Sequence, residues 1–125
     1  MAKVIVKADQ APKSLAYSQA VKAGGLVFVS GQGPFDPVTG ELVGTNIQEQ
    51  TAQCLRNVQA ILRAVGSSLA RAVSATFILG EESDFAGMNE EWNKWFPVDP
   101  PARQGAKLPI HSKGMKISIA VIAEA

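Results

Sequence analysis

Side chains able to do covalent or metal chemistry are scarce in this sequence. It carries one cysteine, Cys54, and one histidine, His111. A single cysteine cannot close an internal disulfide, which agrees with a reducing compartment. A single histidine without a local ligand partner excludes a Cys/His metal cluster and reads as an exposed loop residue. A Ser-His-Asp arrangement would have to use His111, and Ser30 precedes a Gly-Pro break rather than sitting on a strand-to-helix elbow. Phosphate-binding loops are missing too, since Gly31-Gln32-Gly33 lacks a third glycine and leads into no helix. Charge of one sign is not in excess: 12 basic against 11 acidic residues leave a formal net charge of +1, with no basic stripe. Nothing therefore favours nucleic acid or an anionic membrane as a partner. No apolar run approaches the roughly 20 residues that span a bilayer. Residues 1–7 are too short and too charged for a signal-peptide core, so the expected location is the cytoplasm.

What remains is a chain with the makings of one domain, residues 1–125. Apolar residues form 46% and charged residues 18% of its 125 positions, enough for a core. Residues 3–7 alternate as a short edge strand, and 9–13 form a loop. Residues 17–23 predict a second strand, Gly24-Gly25 a tight turn, and 26–30 a strand apolar on both faces and hence buried on both. Residues 36–40 have turn chemistry. Asn46 predicts an N-cap, with Glu49 three residues later as in a capping box. Thr51, Leu55, Val58, Leu62 and Val65 then recur at helical spacing up to Gly66. Cys54 lies beside that stripe and reads as a small buried hydrophobe.

Residues 71–79 alternate again, with Val73, Ala75, Phe77 and Leu79 on one face. Ser83 or Asp84 caps a second helix to about residue 96, whose apolar stripe is Phe85, Met88, Trp92 and Trp95. Residues 115–123 form the last strand. Two helices cover only one face of such a mixed sheet. The other face would expose more apolar surface than monomers usually do, which predicts an oligomer.

The stretch from Pro100 to Leu108 holds the most pointed chemistry. Two prolines fix an extended approach; Arg103 then heads a strand, and Gly105 shares its face without a side chain. A guanidinium beside open backbone suits a small carboxylate. Spacing alone leaves a solvated surface arginine as the simpler reading. Tyr17, Ser30 with the Gly31 backbone, Asn89 and Arg103 are the polar residues at element ends that suit an anionic ligand in a cleft.

Several motifs follow one another in order: Ala11-Pro12, Tyr17-Ser18-Gln19-Ala20, Val29-Ser30-Gly31-Gln32, Asp36 to Gly40, Gln50-Thr51 with Leu55 to Val58, Asp84-Phe85 with Asn89, and Pro101-Ala102-Arg103. Together they resemble the reactive intermediate deaminase family, also called RidA/YjgF-like and, in older usage, L-PSP endoribonuclease. The resemblance spans essentially the whole chain. It implies a chorismate-mutase-like α+β fold, a homotrimer whose sheets form a central barrel with helices outside, and ligand sites between subunits. It also implies that Arg103 clamps the substrate carboxylate, that Ser30 and Gly31 line the pocket, and that Tyr17 closes it from the neighbouring subunit. The implied reaction is cofactor-free hydrolysis of 2-imino acids, formed from enamines, to 2-keto acids and ammonia.

Two departures qualify that implication. The family's cysteine two residues after the arginine is Gly105 here, a position where the main chain is expected to serve. The family's last strand carries two glutamates, the second positioning the attacking water; here the strand reads Ile117-Ser118-Ile119-Ala120. Glu124 has the right parity but stands about 13 Å further along the strand. The segment before Gly114 is longer than usual and that before Pro101 shorter. The expectation is imine hydrolysis, weakened or re-targeted at Ala120. The competing expectation is a non-catalytic trimer that binds a small carboxylate or a protein partner. A ribonuclease or translation inhibitor is disfavoured by the near-neutral charge.

Overall fold

The capped helix forms where its sequence signals stand. In the computed structural model, which describes residues 2–109 and 114–125, α1 spans Ile47–Arg63. Asn46 holds an extended conformation at the N-cap, and its Oδ1 accepts from the Glu49 N–H at 2.8 Å. The Glu49 carboxylate accepts in return from the Thr45 N–H at 3.0 Å, one residue earlier than a capping box would place it. That donor is the main cause holding the Glu49 pKa below its ordinary range. At the other end Gly66 takes φ +75°, where a Cβ would be strained, and the Ser67 N–H returns to the Leu62 carbonyl at 2.9 Å. Leu55, Val58, Ile61 and Leu62 are fully buried. At about 1.5–3 kcal/mol for each such side chain, this stripe anchors the helix to the sheet. Cys54 lies in the same core, its Sγ 3.6 Å from the Ile117 carbonyl, and burial pushes its thiol pKa far up.

The strands are β1 (Val4–Val6), β2 (Ala20–Ala23), β3 (Leu26–Gln32), β4 (Ala72–Leu79), β5 (Ala102–Lys107) and β6 (Ile117–Glu124), with α2 (Phe85–Trp95) between β4 and β5. They form one sheet in the order β1-β2-β3-β6-β4-β5. All neighbours are antiparallel except β4 and β5, whose parallel pairing requires the crossover that α2 supplies. α1 packs on β3 and β6 and against α2. Beneath it Ile117, Ile119, Val121 and Ala123 are buried, while Ser118, Ala120 and Ile122 on the far face are only half-buried. This is the mixed α+β sheet with both helices on one face that the element order predicts.

Several boundaries differ, each for a local reason. β2 starts at Ala20 rather than residue 17, because the Gln19 side chain turns inward. It accepts from the Ala8 N–H at 2.6 Å and donates to the carbonyls of Ala8, Ala11 and Pro12 at 3.0, 3.1 and 2.8 Å. β3 does not stop before Gly31 but continues to Gln32, with an irregularity between Val29 and Gln32 where three residue steps on β3 oppose two on β6. Its far face is not buried in this chain, as Phe28 is 41% exposed.

A second register shift lies between Ala72 and Ser74, so Val73 turns outward at 43% exposure and leaves the buried row it was expected to join. Asp84 occupies the N-cap of α2 without a side-chain cap bond, following a 3-10 turn at Glu82–Asp84. Phe85, expected in the buried stripe, is 43% exposed. β6 begins at Ile117, since the Lys116 N–H is taken by the Gln50 Oε1 at 2.8 Å rather than by a strand. His111 lies outside the described residues.

Candidate functional site

The register of β4 against β5 decides where Arg103 points. Ala75 pairs with Arg103 and Phe77 with Gly105, so Arg103 and Gly105 look toward the helix layer while Gln104, paired with Thr76, looks away. On α2, Phe85, Asn89 and Trp92 follow at i, i+4 and i+7 and form one stripe facing β5. The guanidinium carbon of Arg103 lies 5.1 Å from the Phe77 ring centre, 5.8 Å from Phe85 and 5.1 Å from Trp92. Its Nη1 donates to the Asn89 Oδ1 at 2.7 Å. Three π faces and one amide oxygen hold the cation in a fixed direction. Desolvation by these walls lowers its pKa from the ordinary value, yet a guanidinium stays charged at physiological pH. The remaining N–H groups of the fork are available to a ligand, because among the described residues its hydrogen bonding stops at Nη1.

Gly105 is bare for a packing reason. A Cβ built there would overlap the Phe77 ring. Beyond that ring opens a cavity of about 490 Å³, lined by Phe77, Leu79, Phe85, Ala86, Gly105 and Lys107 among others. Arg103, Asn89 and Gly105 are thus brought together, as expected. Phe77, Phe85 and Trp92 complete the group and were not foreseen as site residues. The polar Asn89 inside an otherwise aromatic stripe was the one available signal.

Tyr17, Ser30 and Gly31 form a second, separate cluster. The Ser30 hydroxyl donates to the Ser18 carbonyl at 2.6 Å, and the Ser30 N–H to the Gln19 carbonyl at 2.9 Å. Tyr17, next in that loop, is 57% exposed. The bare Cα of Gly31 faces the Ser118 Oγ, 3.1 Å from where a Cβ would stand. Ala120 is paired with Thr76, whose Oγ1 accepts from the Gln104 Nε2 at 3.3 Å. Gly31 thus borders the far face at Ser118, and β6 and β4 stand between β3 and β5. At about 4.8 Å per strand gap, roughly 14 Å separates Gly31 from the strand of Arg103. Within one chain, therefore, the Arg103 group and the Ser30–Gly31 group stay apart.

Among the described residues there is no group of three or more His, Cys, Asp or Glu that could hold a metal ion. No helix among them is long and apolar enough to cross a membrane.

The caged arginine and the apolar hollow beside it thus stand at the edge of a mixed α+β sheet. The sequence pattern of the family described as Endoribonuclease L-PSP matches residues 8–125. A RutC family protein of Pyrococcus abyssi is 41% identical over 98% of each chain. The 2-iminobutanoate/2-iminopropanoate deaminase of Rattus norvegicus is 35% identical, over 95% of this chain and 88% of its own. Among solved structures, that of Escherichia coli TdcF with bound serine superposes with a TM-score of 0.90 at 32% identity, covering 98% of both chains. The chain belongs to this reactive intermediate deaminase family.

Proposed function

We propose that the protein hydrolyses 2-imino acids to 2-keto acids and ammonia, at a site completed between two copies of the chain in a homotrimer. The observation that carries this reading is the caged Arg103 guanidinium, fixed by Asn89 at 2.7 Å with part of its donor fork turned outward. A substrate carboxylate takes that fork in a bidentate pair. The relative from Rattus norvegicus named as a 2-imino acid deaminase supports the reaction class, and the serine-bound Escherichia coli neighbour supports a small amino-acid-like ligand.

The separation of these two groups, read as half-sites, is the reason for a second copy. A neighbouring chain brings Tyr17, Ser30 and Gly31 over Arg103, and the same association covers the half-exposed far face around Phe28 and Val73. Because the Ser30 hydroxyl hydrogen is committed to the Ser18 carbonyl, Oγ presents lone pairs to the ligand and accepts from the iminium N–H. Water, held by the Tyr17 hydroxyl, adds to the C=N carbon while the π pair moves onto nitrogen and a water proton leaves to solvent. The carbinolamine then collapses: C=O forms, the C–N bond breaks, and the hydroxyl proton passes to nitrogen, which departs as ammonia. A protonated imine is a strong electrophile, so orientation in a dry cleft accounts for much of the rate. Ala120 removes the roughly 10²–10⁴-fold that a positioned acid–base group contributes.

That alanine favours a second reading, in which the trimer binds a small carboxylate without turning it over. A dehydratase that releases an enamine, with semicarbazide as competing trap, separates the two. If wild type accelerates keto-acid release and Arg103→Ala does not, the deaminase reading stands. If neither does and Ala120→Glu alone is active, the protein keeps the pocket and has lost the chemistry.

A further inference from the structure

We infer that the substrate side chain lies in the apolar hollow beyond Gly105, and that the protein selects 2-imino acids carrying a bulky apolar group, aromatic or branched, over those carrying a methyl. This rests on the deaminase reading for the reaction and on the cavity itself for the selection.

The anchor and the hollow share their walls. Arg103 lies against Phe77 and Phe85, and the same two rings, 6.0 Å apart and tilted by 43°, line the cavity. Along β5 the cavity starts at Gly105 and runs to Lys107, one two-residue step of about 6.6 Å past the arginine. A carboxylate paired with the guanidinium therefore sets its α-carbon at the near end, with the side chain directed along the strand. Gly105 puts no side chain in that path, and Phe77 makes its floor flat and aromatic. A methyl group stops short of the hollow. A benzyl or isobutyl group reaches Leu79, Phe85 and Ala86, and the volume of about 490 Å³ accommodates it. Phe85, 43% exposed on a helix that buries Met88 and Trp92, gains cover when such a group is present.

Equilibrium binding of the two keto-acid products gives the test, read by the fluorescence of the protein's tryptophans, of which Trp92 lies 5.1 Å from the anchor. Phenylpyruvate is expected to bind at least ten times more tightly than pyruvate. Ala86→Trp, at an exposed helix position that tolerates a large side chain, is expected to cut that ratio at least tenfold by filling the hollow. Equal affinities, a preference for pyruvate, no binding of either, or an unchanged ratio in Ala86→Trp each overturn the inference. Turnover is scored separately, with an amino-acid oxidase generating imines from phenylalanine, leucine and alanine. A binding preference without turnover of any imine overturns the deaminase reading alone and leaves the pocket assignment standing. Faster hydrolysis of the alanine-derived imine than of the other two overturns the selectivity.

Discussion

The ring of Phe77 stands on the bare Cα of Gly105, on the adjacent parallel strand, in the space a side chain there would need. The two residues are one packing unit, and that unit forms both the floor under Arg103 and the wall of the hollow beside it. A small-to-large change at Gly105 therefore acts on the anchor through Phe77. Gly105→Ala is expected to cost about 1–3 kcal/mol, as overpacking does. Phe77→Leu in the same chain should relieve part of that cost. Urea unfolding of the two single variants and the double variant measures the coupling. Additivity to within about 0.5 kcal/mol would show that the residues do not share the space.

Asn89 faces the same guanidinium from the helix side, and its replacement separates geometry from charge. Asn89→Ala removes one charge-assisted bond of 2.7 Å and should weaken carboxylate binding about three- to tenfold. Asn89→Asp keeps an acceptor but neutralises the cation, so it should weaken binding more than alanine does. Arg103→Lys gives up the planar fork and the ring stacking, for an expected loss of about ten- to a hundredfold. Titration with a keto acid ranks the three. If Asn89→Asp binds better than Asn89→Ala, the carboxylate does not pair with this arginine.

How far these relationships can be read from sequence depends on the range over which they act. Asn46, Glu49 and Gly66 act within one turn of their own helix, and the stripe from Leu55 to Leu62 repeats with the helix period, so the span of α1 was legible, though not the shift of the Glu49 bond to Thr45. Gly24 and Gly25 likewise mark the β2–β3 turn, both with positive φ. The outward turn of Val73 and the continuation of β3 through Gly31 were not, because each is a register shift against β6. A pattern of alternation within one strand holds no information about its partner's register. Arg103 could be singled out as a candidate from its place after two prolines, and its cage could not. Residues 77, 85, 89 and 92 meet it only through the parallel β4–β5 pairing and the seating of α2.

Cys54 gives a prediction on pH. Desolvation by burial raises its thiol pKa far above the ordinary value of 9.0. The folded chain thus keeps the proton after the unfolded chain has lost it. That contribution to stability is complete below pH 9 and falls as pH rises, by about 1.4 kcal/mol per unit until the folded thiol itself ionises. Lysine and tyrosine titrate in the same range, so the informative quantity is the difference between wild type and Cys54→Ala. Unfolding free energies at pH 8, 9.5 and 10.5 should converge between the two proteins as pH rises. A constant gap would mean that the thiol reaches water in the native state.

Gln19 clamps the loop that carries Tyr17. Its buried amide makes four hydrogen bonds to the main chain of Ala8, Ala11 and Pro12, and no apolar side chain can replace them. At about 1 kcal/mol per bond, with a further penalty for buried groups left unpaired, Gln19→Ala should cost roughly 2–5 kcal/mol. Part of this should appear as local opening, since among the described residues the side-chain hydrogen bond and ion pair of the tip from Lys13 to Tyr17 are short-range. Amide exchange should accelerate at Ala8 and Ser30, whose N–H groups bond to Gln19, while α1 stays protected. Uniform acceleration across both would mean that Gln19 supports the whole fold and does not act as a clamp on one loop.

The two half-sites lead to the sharpest test of the proposed assembly. Arg103 stands on edge strand β5 facing the helices, while Ser30, Gly31 and Tyr17 lie across two intervening strands. Arg103→Ala destroys one half, and Tyr17→Phe combined with Gly31→Val destroys the other, the valine colliding with the Ser118 hydroxyl. Each protein alone should be inactive and should not bind keto acid. After co-refolding in equal amounts, a closed cyclic trimer contains sites that draw each half from an intact source. About one quarter of the sites should then recover, because random assembly pairs two intact halves with that frequency. Recovery near that level places the reaction between chains. No recovery, in heteromers confirmed by mass spectrometry, would mean that both halves act within one chain, which the roughly 14 Å between their strands argues against.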